Sequence, residues 1–135
     1  AYHHTAPVNA LYGLHEGLRR LENEGLEAAW RRHRESHEYL KSGLEALGLE
    51  LLVDEPDRLP QLNSVRVPDR CDDASVRRLM LEEHGIEIGG GLGELAGKIW
   101  RIGLMGENAR QESVDRLLDA LSTVLENNQT KLAAE

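Results

Sequence analysis

The chain has 135 residues, 40% apolar and 30% charged, with one cysteine and no phenylalanine. That length fits one domain, and the composition is that of a globular protein rather than a collagen, a coiled coil or a disordered tail. A formal charge of −8, from 24 acidic and 16 basic residues, argues against nucleic acid as a partner, because no net positive field exists to release counterions. The lone Cys71 excludes an internal disulfide framework and a multi-cysteine zinc site, and suits a reducing compartment. No stretch reaches about eighteen apolar residues, and the N-terminus lacks the charged-then-apolar layout of a signal peptide. The expectation is a soluble, cytoplasmic protein with no membrane partner.

Pro7 stands at a first helical position. After it Val8, Leu11, Leu14, Leu18 and Leu21 step by threes and fours, the face of one helix ending at Gly25. The period restarts at Leu26 and runs through Trp30, His33, His37, Leu40, Leu44 and Leu47 to Gly48, a second helix. Alternation then replaces it: Leu49, Leu51 and Val53 predict a short strand, and Pro56 and Pro60 fence off a loop. Leu62 to Val67 is a second strand, stopped by Pro68. Asp72 or Asp73 can cap a helix carrying Val76, Leu79 and Met80, which ends at Gly85. Ile86 to Ile88 predicts a brief strand before the run Gly89-Gly90-Gly91-Leu92-Gly93. Ile99 to Leu104 is a strand, and Asn108 can cap a last helix bearing Val114, Leu117, Leu121 and Val124. Short strands with helices between them predict an α+β fold: a small, mostly antiparallel sheet with helices packed on one face. The divisions expected are 1–24, a connecting segment and helix, 25–126, the folded domain, and 127–135, a tail without periodicity.

Several residues invite chemistry. Gly91 to Ala96 matches G-x-G-x-x-A in letters, but a helix N-terminus must follow to receive a pyrophosphate, and here Gly97-Lys98 leads into a strand. A glycine loop between strands more simply permits close backbone approach, which also suits the rim of a site. His33 and His37 have metal-sharing spacing without a third ligand, so they read as partly buried helix histidines and no metal is expected. Arg101 lies among Ile99, Trp100, Ile102 and Leu104, and a guanidinium there needs an anionic partner. That partner is either a carboxylate of this chain or the carboxylate of a ligand, gripped by two parallel hydrogen bonds. Of Lys41, Lys98 and Lys131, none occupies a setting that activates an amine.

Four stretches in combination carry a resemblance: Tyr2-His3-His4-Thr5-Ala6-Pro7, Gly25-Leu26-Glu27 through Trp30-Arg31-Arg32-His33-Arg34, Ile86 to Gly93, and Trp100-Arg101-Ile102-Gly103-Leu104-Met105-Gly106. In that order the chain resembles the C-terminal third of alanine/serine–glyoxylate aminotransferases, class V, fold-type I enzymes that use pyridoxal phosphate. The resemblance covers roughly Tyr2 to Glu126. It implies that 25–126 is the family's small C-terminal domain. It implies that Tyr2 and Thr5 reach across a homodimer to the cofactor phosphate, and that Arg101 binds the carboxylate of the amino-acid or 2-oxo-acid substrate. Gly90 and Gly91 would then lie at the site rim. The family's Schiff-base lysine belongs to the larger preceding domain, and no lysine here matches it. The expectation is a transaminase fragment, with no catalytic residue in this chain, inactive alone and unable to hold the cofactor covalently. The alternative is a non-catalytic α+β module that binds a carboxylate or a partner.

Overall fold

The computed structural model describes residues 4–132, with side chains described through Asn127. Two compact units divide the chain, Ala1–Arg32 and His33–Glu135.

In the first unit, α1 spans Val8–Glu24 and follows Pro7. Gly25, at a φ of +84°, ends it, and α2, Leu26–Ala46, which begins here and continues in the second unit, restarts one residue later. A left-handed φ at that point suits glycine, which has no Cβ to clash. Arg32 reaches back across the break to Glu24 with two hydrogen bonds of 2.5 and 2.8 Å. Arg19 and Arg20 both donate to Glu16, holding its carboxyl down to about 2. The predicted apolar stripe of α1 forms, yet no residue of this helix is buried. Leu26 and Trp30, at the start of α2, are also exposed. Periodicity shows that a face asks to be covered; it does not supply the cover.

In the second unit, β1 (Leu62–Arg66), β2 (Gly89–Gly90) and β3 (Ile99–Gly103) form an antiparallel sheet in the order β1-β3-β2. Between β1 and β2 lies α3, Asp73–His84, and after β3 comes α4, Gln111–Leu132. Trp100 and Ile102 of β3 and Val65 of β1 are buried in one cluster with Leu40 and Leu44 of α2, Met80 of α3 and Leu121 of α4. Helices thus cover one face of the sheet, the α+β arrangement expected. The alternation of β3 turns Arg101 to the other face, opposite Ser64 on β1 and Gly89 on β2. At Gly43, α2 comes close to α4: a Cβ there would fall 2.2 Å from a methyl of Leu118.

Three local expectations need correction. The strand foreseen at Leu49–Val53 is reduced to a single bridge, Leu51 to Val65. Arg58 Nε takes the Val53 carbonyl at 2.7 Å, and a 3₁₀ turn follows at Glu55–Asp57, so the segment curls away from the ladder. The strand foreseen at Ile86–Ile88 begins instead at Gly89. Gly85 is left-handed and its amide bonds Leu81 O, an αL helix end, and the Ile86 amide bonds Met80 O, which holds Ile86 to the end of α3. Asn108 sits in a 3₁₀ turn, Gly106–Asn108, and α4 starts three residues later. The backbone of α4 runs to Leu132. The cap of α3 is as read: Asp72 accepts from the Ser75 amide at 2.8 Å.

Candidate functional site

Antiparallel pairing fixes where the groups around Arg101 point. The Gly91 amide donates to Ile99 O at 3.0 Å, so Gly91 faces β3 and the intervening Gly90 turns its own N–H and C=O away from it. Arg101 lies opposite Gly89. Its side chain passes over that glycine, where a Cβ would meet Nε and Nη2 at 3.4 Å, and its Nε donates to the outward carbonyl of Gly90 at 2.8 Å. Arg101 is half-buried, and among the described residues it has no carboxylate partner. One edge of the guanidinium is therefore fixed by a neutral carbonyl. The two Nη groups carry four N–H donors with no hydrogen bond among the described residues.

The glycines at this edge have different reasons to be glycine. A Cβ on Gly91 would sit 1.8 Å from the Leu95 carbonyl oxygen, so the backbone of the following 3₁₀ turn, Gly93–Leu95, closes directly on it. A Cβ on Gly90 would meet Arg77 Nε at 3.1 Å. No α-helix follows the G-x-G-x-x-A letters: the three-residue turn lies within them and β3 comes next, so the dipole needed for a pyrophosphate is missing.

Arg77 carries no signal for this site in the sequence. It belongs to α3, pairs with Asp73 one turn earlier through bonds of 2.8 and 3.1 Å, and lies against Gly90. Its spacing from Asp73 reveals the ion pair; its contact with Gly90 depends on how α3 meets the sheet edge.

The remaining candidates are placed as follows. Thr5 is exposed in the non-helical segment before α1, within the first unit, while Arg101, Gly90 and Gly91 belong to the second. Tyr2 lies outside the described residues. His37 is buried and bonds Asn63 Oδ1 at 2.6 Å. The Asn63 amide nitrogen is turned to the carbonyls of Pro60 and Ile102, so His37 Nδ1 is the donor. No group of three metal-ligating side chains occurs among the described residues. Lys41 is held by Glu55 at 2.9 Å and Glu38 at 3.8 Å, and the Glu55 hydrogen bond raises its pKa. Lys98 is exposed. Neither amine has the desolvated setting of a nucleophile. Among the described residues no helix is long and apolar enough to cross a membrane.

The fold is thus a small antiparallel sheet with helices on one face, with an arginine at its glycine edge that has no carboxylate partner among the described residues. The family described as aminotransferase class-V matches residues 1–117, and the chain belongs to that family. It is 50% identical over 127 residues to an alanine–glyoxylate aminotransferase of Callithrix jacchus, covering 93% of this chain and 31% of that protein. It is 44% identical over 123 residues to a (S)-ureidoglycine–glyoxylate transaminase of Bacillus subtilis strain 168, covering 91% and 30%. The crystal structure of an alanine–glyoxylate aminotransferase from Nostoc sp. superposes with a TM-score of 0.88 at 55% identity, covering 93% of this chain and 33% of that one. The chain thus spans about a third of the length of the relatives it matches.

Proposed function

We propose that the protein is a pyridoxal-phosphate-dependent transaminase that moves an amino group from alanine or serine to glyoxylate or a related 2-oxo acid. In this reading the chain supplies the small C-terminal domain, residues 25–126. The observation that carries it is Arg101: a half-buried guanidinium in a class-V aminotransferase, fixed through Nε to Gly90 O and free of any carboxylate among the described residues. Glyoxylate is the acceptor common to the names of both relatives, whose amino donors differ.

The chain's own residues fit two roles around such a cofactor. Arg101 binds the α-carboxylate of donor and acceptor in turn through its Nη edge, with two charge-assisted hydrogen bonds that also set the orientation of the substrate. Gly90 holds the plane of the guanidinium, and Gly91 lets the loop fold tightly beside it. The exposed hydroxyl of Thr5, with Tyr2, donates to the cofactor phosphate of a second subunit, which makes the working unit a homodimer. The cofactor, when bound, supplies the electron sink that stabilises charge at the substrate α-carbon. Covalent anchoring does not fit the described lysines, since Lys41 is kept protonated by its carboxylates and Lys98 is exposed. In this reading that function falls to residues outside this chain. A cytoplasmic location, suggested by the single Cys71, completes the reading.

The test is transamination by the complete protein loaded with pyridoxal phosphate, offered alanine, serine or (S)-ureidoglycine with glyoxylate. Glycine formation from alanine or serine supports the reading. The 135-residue chain alone should form none, and turnover by it would show that the catalytic amine has been misplaced. A complete protein that binds glyoxylate but transfers no amino group would favour a non-catalytic carboxylate-binding module.

A further inference from the structure

We propose that Arg77, locked by Asp73, is a positioning residue for Arg101, acting by clamping Gly90 from the side of α3; its bearing on substrate rests on the reading of Arg101 given above. Strand β2 is two glycines at the edge of the sheet, the least constrained backbone a strand can have. The ladder to β3 fixes Gly89 and Gly91, and the Gly90 carbonyl points outward and receives nothing from the β3 backbone. That carbonyl is nevertheless what orients the Arg101 guanidinium, through the 2.8 Å bond to Nε. The Gly91 N–H bond to Ile99 O, in the same peptide plane, sets that carbonyl's direction, but the helix side of this two-glycine edge is left to be supported by packing.

Arg77 is so placed. Its Nε and Cζ lie 3.1 and 3.2 Å from where a Gly90 Cβ would be, so the guanidinium occupies the space a side chain there would fill. It is a firm wall, because both its Nε and its Nη2 are bound to Asp73, whose side chain is only 13% exposed. A two-point Arg–carboxylate pair fixes direction as well as distance. Asp73 in turn stands in the first turn of α3, where the helix dipole favours a carboxylate. Asp73 also neutralises Arg77, so Gly90 is gripped without leaving a second uncompensated cation to compete for an anionic substrate. The order of support runs Asp73, Arg77, Gly90, Arg101.

The experiment uses the complete protein with Arg77→Met, which keeps a long stem and loses the fork, and Asp73→Asn, which keeps the shape and loses the charge. Two quantities are read. Exchange of the Arg101 Nε–H with water, followed in ¹⁵N-arginine spectra and assigned through Arg101→Lys, reports the bond to Gly90 O directly. It should accelerate in both variants. The KM for amino and 2-oxo acid should rise roughly 3- to 30-fold while kcat stays within about twofold. A merely structural staple between α3 and β2 would lower the unfolding midpoint and leave the exchange rate and KM of the folded enzyme unchanged, which overturns the proposal. Wild-type exchange in both variants overturns it as well, whatever KM does. Faster exchange together with an unchanged KM in Arg101→Lys keeps the clamp and removes instead the carboxylate reading of Arg101.

Discussion

Replacing Arg101 tests the proposed binding of the substrate carboxylate separately from everything else the chain does. Arg101→Ala removes four unpaired Nη donors and one hydrogen bond to Gly90 O, at a half-buried position on an edge-facing surface. The structural loss is small, since a carbonyl at a sheet edge turns to water when its partner is gone. The loss to a bound carboxylate is large: removing one partner of a desolvated, hydrogen-bonded charge pair costs about 2–5 kcal/mol, or roughly 30-fold to several thousand-fold in kcat/KM. Arg101→Lys keeps a positive charge but not the planar fork. One ammonium cannot keep Nε's bond to Gly90 O and still present two parallel donors, so KM should rise for both amino and 2-oxo acids. Initial rates in the complete protein, with each substrate varied in turn, measure this, and cofactor affinity measured alongside should hold. If Arg101→Ala keeps kcat/KM within about threefold, or releases the cofactor instead, the reasoning is refuted.

Other outcomes follow from the same geometry. Gly91→Ala forces a methyl to within 1.8 Å of Leu95 O, a backbone atom that cannot step aside, so it should cost at least about 1–3 kcal/mol in urea unfolding; a neutral result would mean the loop closes differently. Gly43→Ala should lose about 1 kcal/mol, since overpacking against Leu118 exceeds the gain in helix propensity, whereas Gly17→Ala on open α1 should gain up to about 1 kcal/mol. Equal signs for the two would contradict the close approach of α2 and α4. Tyr2→Phe with Thr5→Ala should weaken cofactor binding in the complete protein at least about tenfold, measured by equilibrium dialysis, and unchanged affinity would remove these residues from the phosphate site.

How much of this was legible in the sequence depends on the range of the interaction involved. Arg101 stood out because a guanidinium between Trp100 and Ile102 conflicts with its strand, and such a conflict is visible in three letters. The helices were legible from their periods and the cap Asp72 from its position. The strand at Leu49–Val53 was not, because Arg58 diverts the Val53 carbonyl through a side-chain bond that alternation cannot show. The displacement of β2 from Ile86 to Gly89 comes from the helix-end bond of Ile86 to Met80, a pattern that Gly85 hints at but does not dictate. The α1 stripe was read correctly as a face, but its exposure could not be. Arg77 was invisible as a site residue, since its role exists only where α3 meets the sheet edge.

The most direct test of the central claim is a crystal structure of the complete protein with pyridoxal phosphate and an unreactive analogue of glyoxylate. The carboxylate should lie about 3 Å from both Nη atoms of Arg101, with Nε still on the Gly90 carbonyl and Arg77 still against Gly90. An analogue bound elsewhere, with the Arg101 fork closed on an aspartate or glutamate of the protein, would contradict the account.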